Sequence, residues 1–597
     1  VTHFLKGGRR ARIAVAAPLT ALAVGVASLI LTAPAQAGPV ADGQGGSTAT
    51  HAQIWDSIQT AVKHQQSTDK AAAKAAATGT GTGKATGNAV KPDIIGGVGT
   101  NINQAKWMVQ LVYDLPDGSG LEFCGGTLVA QNKVLTAGHC AAGLDWVKNG
   151  HVVGNTGVLF GTSSSMLSNV RSQWLNPSFN GTTIDNDTAL LTLDTPFNLP
   201  TLPLATPNDS ASYAAGTQAR VYGWGVTDSA PDSQNLAPTL QSLALPVNSD
   251  TTCANELDTD LGDPNAYIAG HMMCGGVGGT GDDSTGKTTC SGDSGGPLVV
   301  GGKLIGLVSW GVSDDTQDCN TPGTYDVFTK ISTYNGTLQP RINDTDVTRD
   351  AKADVIAQTP AGATYVYAST GTNIKTRANA PASFKNYNTV IQADLDRDGF
   401  QDYVLRASGT GNAFVGRRSN TSSTYSYTKI GSGWGALKAM LVPGDVTGDG
   451  IPDLLTEDSR GRLWIYSGKG DGTFNAAVLT GLTWSQYNLV IGHGDFSGDG
   501  ITDVLARDSA TGNLYLLRGT GNATAPFLAP LLISGGWNGY DKLTTVGDFS
   551  GDGKADLLAR VPSGSEFLFQ GTDAAGSGAF KPSVKIATGW NMYNLLG

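Results

Sequence analysis

A nine-residue Asp-rich pattern recurs through the C-terminal part of the chain. Its copies start at Asp346, Asp394, Asp445, Asp495 and Asp548, about every 50 residues. A period of this length marks one small structural unit repeated, each too small to bury its own apolar face, so that neighbours must stack. Between the copies, runs such as Leu463-Trp464-Ile465-Tyr466 alternate with Gly-rich turns and read as strands. Four copies keep Asp at positions one, five and nine, with Gly at six. Their candidate ligands are Asp394, Asp396, Asp398 and Asp402; Asp445, Thr447, Asp449 and Asp453; Asp495, Ser497, Asp499 and Asp503; and Asp548, Ser550, Asp552 and Asp556. Alternating oxygens around a tight turn suit a hard cation, calcium first and magnesium second, in a structural role. Carboxylates this close repel unless a divalent ion neutralises them. The competing reading is an Asx-type turn without metal. The first copy carries Ala351 where the others carry Gly, which strains a left-handed position by about 1 kcal/mol and predicts weaker binding there.

Before each later copy runs an aromatic and apolar segment, such as Trp484–Val490 or Trp537-Asn538-Gly539-Tyr540. No such segment precedes the copy at Asp346, yet an orphan, Trp590-Asn591-Met592-Tyr593-Asn594-Leu595-Leu596, follows the last one. An unpaired strand exposes backbone donors and acceptors, and radial closure removes the edge. The expectation is that the C-terminal strand pairs into the first blade and closes a ring of about five.

Charged residues make up 15% of the 597 and there are 81 glycines, which favours many turns and short strands, a mostly β chain. Net charge is −11 and the pI about 5.1, against nucleic-acid or anionic-membrane partners. Lys6, Arg9, Arg10 and Arg12, the uncharged stretch Ile13–Leu31 and Ala35-Gln36-Ala37 read as a cleaved secretory signal over 1–37. No later segment is long enough to span a bilayer. The expected mature protein is extracellular, with no membrane association after cleavage. Residues 38–93 read as pro-segment and low-complexity linker, with a short amphipathic helix over His51–Gln66. In an oxidising compartment the six cysteines imply three disulfides. All lie between Cys124 and Cys319, and spacing alone does not choose among the pairings.

Three segments carry chemistry: Thr136-Ala137-Gly138-His139-Cys140, Asp185-Asn186-Asp187-Thr188-Ala189 and Cys290-Ser291-Gly292-Asp293-Ser294-Gly295-Gly296-Pro297. A serine hydroxyl is a weak nucleophile near neutral pH, so Ser294 needs a base within reach. His139 can take its proton and return it to the leaving amine. Asp187 would hold the imidazole tautomer and stabilise its charged form. His151, His271 and His493 read as structural.

In this order, these motifs resemble the trypsin/chymotrypsin-like serine proteases over residues 94–340. Ile94-Ile95-Gly96-Gly97, Gly223-Trp224-Gly225 and Ser309-Trp310-Gly311 add to the resemblance. It implies a two-barrel fold and protein or peptide substrates. It also implies catalysis without a cofactor, and an oxyanion hole at the amides of Gly292 and Ser294. The implied disulfides are Cys124–Cys140, Cys253–Cys274 and Cys290–Cys319, worth roughly 3 kcal/mol each if unstrained. A new N-terminal amine at Ile94 would pair with Asp293, though Lys91-Pro92-Asp93 is not the usual basic residue before the cut. The specificity pocket would comprise Thr288, Ser309, Gly311 and Gly323, with Ser309 also behind Asp187. Its uncharged floor predicts a large apolar P1 residue; the acids Asp314, Asp315 and Asp318 read as a solvated loop. The Asp loops resemble FG-GAP (integrin-α-like) repeats of β-propellers, which assigns 341–597 to a repeat domain that binds a substrate, surface, glycan or protein. The alternatives are an adhesion protein on a protease-like scaffold, or an esterase using the same triad.

Overall fold

The computed structural model describes residues 4–6, 52–55, 94–116, 121–231, 233, 235–343, 345–380, 382–418 and 424–597. Nearly all of the expected signal and pro-segment lies outside these, and only 52–55 of the expected helix is described, as one helical turn. Among the described residues no helix is long and apolar enough to cross a membrane. Two compact units form. The first takes Val1–Leu128, Lys133–Thr201 and Ala211–Lys330, the second Val129–Asn132, Leu202–Ser210 and Ile331–Gly597.

In the first unit a closed barrel runs through the strands Met108–Asp114, Leu121–Ala130, Lys133–Thr136, Ala189–Leu193, Met166–Leu175 and Gly150–Gly154. A second sheet orders Met272–Gly275, Asp326–Lys330, Lys303–Ser313, Pro297–Val300, Gln218–Gly223, Gln241–Pro246 and Val98–Gly99. Phe4–Lys6 adds to it in parallel beside Gly311–Ser313. The strand interiors are apolar and fully buried, Leu111, Val134 and Leu191 in the barrel and Val221, Leu307 and Phe328 in the sheet. Cys124 is bonded to Cys140, Cys253 to Cys274 and Cys290 to Cys319, the pairing that the resemblance implies.

The second unit is a propeller-like set of five four-stranded antiparallel sheets. In four of them the chain runs first strand, Asp loop, second strand, as in Ala439–Gly444, Asp445–Pro452 and Asp453–Glu457. The first blade has no such opening strand of its own. Leu595–Leu596 supplies it, pairing with Ala357 and Gln358. The expected closure is present. Apolar clusters then join successive blades around the ring, Val390 with Leu595, Val442 with Val404, Leu455 with Val504, Leu505 with Leu557, and Leu558 with Val355.

The aromatic segments acquire a reason. Arg406 donates to the carbonyls of Trp434 and Leu437, Arg507 to those of Trp537 and Tyr540, and Arg560 to those of Trp590 and Tyr593. Each arginine ties its blade to the turn that opens the next. The orphan copy is gripped like those at Trp434 and Trp537, and its Trp590 ring lies 4.9 Å from Tyr367 of the first blade.

Candidate active site and acidic loops

The turn Gly138–Cys140 carries His139 out of the strand Lys133–Thr136, pinned by the Cys124–Cys140 bridge. Asp187 approaches from the loop before Ala189–Leu193. Its Oδ1 accepts from the His139 amide at 2.7 Å and its Oδ2 lies 3.0 Å from His139 Nδ1. Ser309 Oγ donates to the same Oδ2 at 2.6 Å, and Thr329 Oγ1 to the Asp187 carbonyl at 2.9 Å. Asp187 and His139 are both buried, so the carboxylate fixes one imidazole tautomer in a site of low dielectric.

The nucleophile loop packs onto the same turn. Gly125 N donates to the Ser294 carbonyl at 2.8 Å. At Gly295, φ is +74°, and an added Cβ would stand 2.0 Å from Thr136 Oγ1, so only glycine permits the seat. Gly292, at φ +91°, turns the loop. Among the described residues the amides of Gly292 and Ser294 donate to no backbone carbonyl, whereas Asp293 N donates to Cys290. Two uncommitted donors flank the serine, as an oxyanion site needs.

Asp293 is fully buried, accepting from Gly225 N at 2.8 Å and Cys290 N at 3.0 Å. A Cβ at Gly225 would stand 2.3 Å from its Oδ2 and one at Gly223 2.0 Å from its Oδ1, which accounts for both glycines of Gly223-Trp224-Gly225. Burial pushes this carboxyl up to about 7 despite the two amides. Ile94 is likewise fully buried.

The supposed pocket residues divide. Ser309 belongs to the Asp187 network. Gly311 is half-buried, on the strand Lys303–Ser313. Gly323 is exposed, and a Cβ there would meet nothing within 4 Å. Asp314 closes its own turn, accepting from the amides of Thr316 and Gln317. Thr288 is buried, but its surroundings are not uncharged, and that expectation is corrected. Its hydroxyl bonds the carboxylate of Asp326, which also accepts from Thr289 N at 2.9 Å. Asp326 is 6% exposed, and burial pushes its carboxyl up to about 7. The sequence reading missed it. Its signal was an acid opening the otherwise uncharged run Asp326-Val327-Phe328-Thr329. His271 was read as structural; its Nδ1 lies 2.7 Å from Asp185 Oδ1, two residues before Asp187.

Residues 94–338 match the family model for trypsin. A trypsin of Saccharopolyspora erythraea is 36% identical over 250 residues, 42% of this chain and 98% of that protein. A trypsin of Sus scrofa is 34% identical over 42% of this chain and 95% of its own length. Serine protease 1 of Canis lupus familiaris is 33% identical over 42% and 89%. The chain belongs to the trypsin family. Its serine endopeptidase domain is followed by FG-GAP-like repeats, whose model matches 394–456, 445–506 and 495–559.

The repeat loops share one geometry. The first Asp accepts amides from its own turn, as Asp495 does from Gly498 at 2.7 Å and Gly500 at 2.6 Å. The ninth staples the loop to the next turn, as Asp503 accepts from Gly519 at 2.9 Å. Carboxylate oxygens of Asp346, Asp350 and Asp354, of Asp394, Asp396 and Asp402, and of Asp495, Asp499 and Asp503 converge within 4.8 Å. These three sets fit a divalent cation. Burial, then neighbouring carboxylates, push Asp354 up to about 8. Two sets already hold a basic partner, Lys375 on Asp350 and Arg417 on Asp396. Ala351 adopts φ +66°, the left-handed conformation expected of it.

Proposed function

We propose that the protein is an exported serine endopeptidase in which Ser294 is the nucleophile, His139 the general base and acid, and Asp187 the group that orients His139. The observation that carries this reading is the buried chain Ser309–Asp187–His139 beside the glycine-seated Ser294 loop. His139 Nδ1–H donates to Asp187, leaving Nε2 to take the serine proton as Oγ attacks the scissile carbonyl. The amides of Gly292 and Ser294 receive the developing oxyanion. The imidazolium protonates the leaving amine, and water then repeats the sequence in reverse on the acyl-enzyme. Labelling by a fluorophosphonate probe tests the assignment. Ser294→Ala should abolish both labelling and peptide hydrolysis while the melting curve stays unchanged; retained turnover would move the nucleophile elsewhere.

Cleavage ahead of Ile94 is the activating step in this reading. Asp293 is a buried acid with no cation among its hydrogen-bond partners, and a freed Ile94 ammonium would supply one. Secretion is supported by the three disulfides and by the leader-like N-terminal sequence. Asp326 favours a basic P1 residue over the large apolar one that Thr288 alone suggests, because a lysine or arginine would neutralise a carboxylate otherwise buried at a cost. Peptide-library profiling checks this. Asp326→Asn should lower kcat/KM for basic P1 by about 100-fold while sparing Phe and Leu; a wild-type preference for Phe or Leu would restore the apolar reading.

Calcium in the repeat loops is the second part of the proposal. It would be held by Asp495, Asp499 and Asp503, where among the described residues no Lys or Arg forms an ion pair, and by the converging acids of the Asp346 and Asp394 loops. For the loops at Asp445 and Asp548 the proposal rests on the shared sequence pattern alone. There it neutralises clustered carboxylates and stiffens the loop that opens each second strand. The repeats present the surface for a substrate, glycan or protein partner.

A further inference from the structure

Residues 52–55 form a helical turn that seats Ile54, 5% exposed, against Val112, Val153 and Leu167 of the barrel. Trp55 packs beside it, with Leu121, Phe123 and Phe160 around the rim. The Phe123 and Phe160 rings meet edge to face at 5.6 Å. Phe123 reaches the reacting centre on its other side, its Cδ1 3.7 Å from where a Cβ on Gly292 would stand. Two residues on, Gly125 N holds the Ser294 carbonyl. One aromatic side chain therefore lies between the leader and the oxyanion loop.

Between Trp55 and Ile94 lie roughly 40 residues, many of them Ala, Thr, Gly and Lys. The seat is non-covalent and far upstream of the cut, so cleavage ahead of Ile94 does not remove what holds Ile54 in place. Without the leader, an apolar patch of aromatic and branched side chains would lie open on the side of Phe123 away from Gly292.

We propose that this groove is the docking seat of the leader segment around Ile54 and Trp55. The leader stays seated after cleavage and competes with polypeptide substrates for the flank of the site next to Gly292. This rests on the endopeptidase reading above. The occupant is this chain's own segment, because that segment fills the groove in the structure.

The test uses the processed full chain and synthetic peptides of residues 48–60. In the wild type, the leader fragment should co-elute with the remainder on size exclusion and be identified by mass. On protein processed from the Ile54→Asp chain, whose own leader no longer fills the seat, a labelled wild-type peptide should bind saturably by fluorescence anisotropy. The Ile54→Asp peptide should bind at least tenfold more weakly, and an Ile54→Leu peptide should bind like wild type. The bound peptide should raise KM for a polypeptide substrate several-fold and leave hydrolysis of a small ester unchanged. If the Ile54→Asp protein fails to fold, the same peptides are exchanged against processed wild type. Equal binding of wild-type and Ile54→Asp peptides, no binding by either, or equal inhibition of ester and polypeptide would overturn the proposal. Loss of hydrolysis of both substrates without any peptide would instead remove the endopeptidase reading, while the anisotropy still decides docking.

Discussion

Both units bury carboxylates, and they stabilise them differently. In the protease unit Asp293 and Asp326 stand on separate segments, Asp293 bonded to two backbone amides and Asp326 to one amide and the Thr288 hydroxyl, with no basic side chain on either among the described residues. Burial pushes each up to about 7, and the Asp326 charge adds to the rise at Asp293. In the repeat unit the acids come in sets on one loop. Burial raises Asp453 to about 7 and Asp556 to about 8, with neighbouring carboxylates adding to the shift. A single buried acid can be answered by one charged group, either the chain's own new N-terminus or a bound substrate side chain. A recurring set is better answered by a diffusible divalent ion, because one ion serves several oxygens and the same loop can be repeated. In the function proposed above, the first solution would be made once, by cleavage, and the second would be reversible.

The sharpest break of this comparison is Asp293→Asn. In processed protein it should cost at least about 100-fold in kcat/KM, the scale of a lost oxyanion donor, because the Ile94 ammonium loses its partner and the Gly292 amide its support. Melting of the repeat unit should not move. Unchanged turnover would mean that the buried acid does not control the oxyanion loop.

Removing residues 588–597 should act on the other unit alone. Trp590, Tyr593 and Leu595 are each at least 92% buried, and full burial of such side chains contributes about 1.5–3 kcal/mol apiece. Their loss is of the order of a domain's whole stability. The whole repeat unit should unfold at lower temperature, not merely its last blade. A truncated protein that melts like the full chain would refute closure through this strand.

The pH dependence separates the two kinds of acid. The Asp293 carboxyl rises from 3.8 to about 7 in the folded, unprocessed chain. The folded state therefore holds its proton more tightly than the unfolded one. The contribution of this one group to stability is fully present below pH 4 and falls as pH rises towards 7, by on the order of 3–4 kcal/mol. The protease unit of unprocessed protein should melt lower at pH 8 than at pH 5, and that of processed protein should show a smaller fall, with Asp326 contributing to what remains. The metal-free repeat unit should fall over the same range, because Asp453 and Asp556 are raised as well. Equal slopes before and after processing would show that the new amine does not reach Asp293. Chelation comes next. EDTA should lower melting of the repeat unit by the equivalent of about 3 kcal/mol, the stabilisation lost when a ligand held near 100 times its Kd is removed. It should leave hydrolysis of a small ester unchanged.

The sequence carried those features whose residues are close along the chain or strongly typed. The five blades and the left-handed turn at Ala351 were legible for that reason, whereas the disulfide pairing came from the family resemblance and not from spacing. Asp326 was not, because it meets Thr288 across 38 residues of chain and its strand gives no periodic signal for one inward acid. The left-handed residues at the fourth loop position also escaped. Arg349 and Arg397 have positive φ where Gly448, Gly498 and Gly551 stand in the other copies, but arginine does not announce that conformation as glycine does. The Trp-x-x-Tyr segments were visible as a motif. The purpose of those at Trp537 and Trp590 was not, since the arginines that grip their carbonyls lie about 30 residues away.

The smallest expected effect tests what sets the first loop apart from the others. Ala351 sits at φ +66°, where Gly399, Gly450, Gly500 and Gly553 have φ between +82° and +89°. A methyl group in that region costs roughly 1 kcal/mol. Replacing it with glycine relieves the native state but frees the unfolded chain, which returns part of the gain. Ala351→Gly should therefore raise stability of the repeat unit by about 0.5 kcal/mol, and Gly500→Ala should lower it by about 1 kcal/mol or more. Calcium titration of the Ala351→Gly protein should gain a tighter site. The loop differs in a second respect, since Lys375 already pairs with Asp350 at 2.6 Å. If Ala351→Gly stabilises the unit without tightening any site, the lysine rather than the turn excludes the cation. Lys375→Met should then add a binding site that the glycine alone does not.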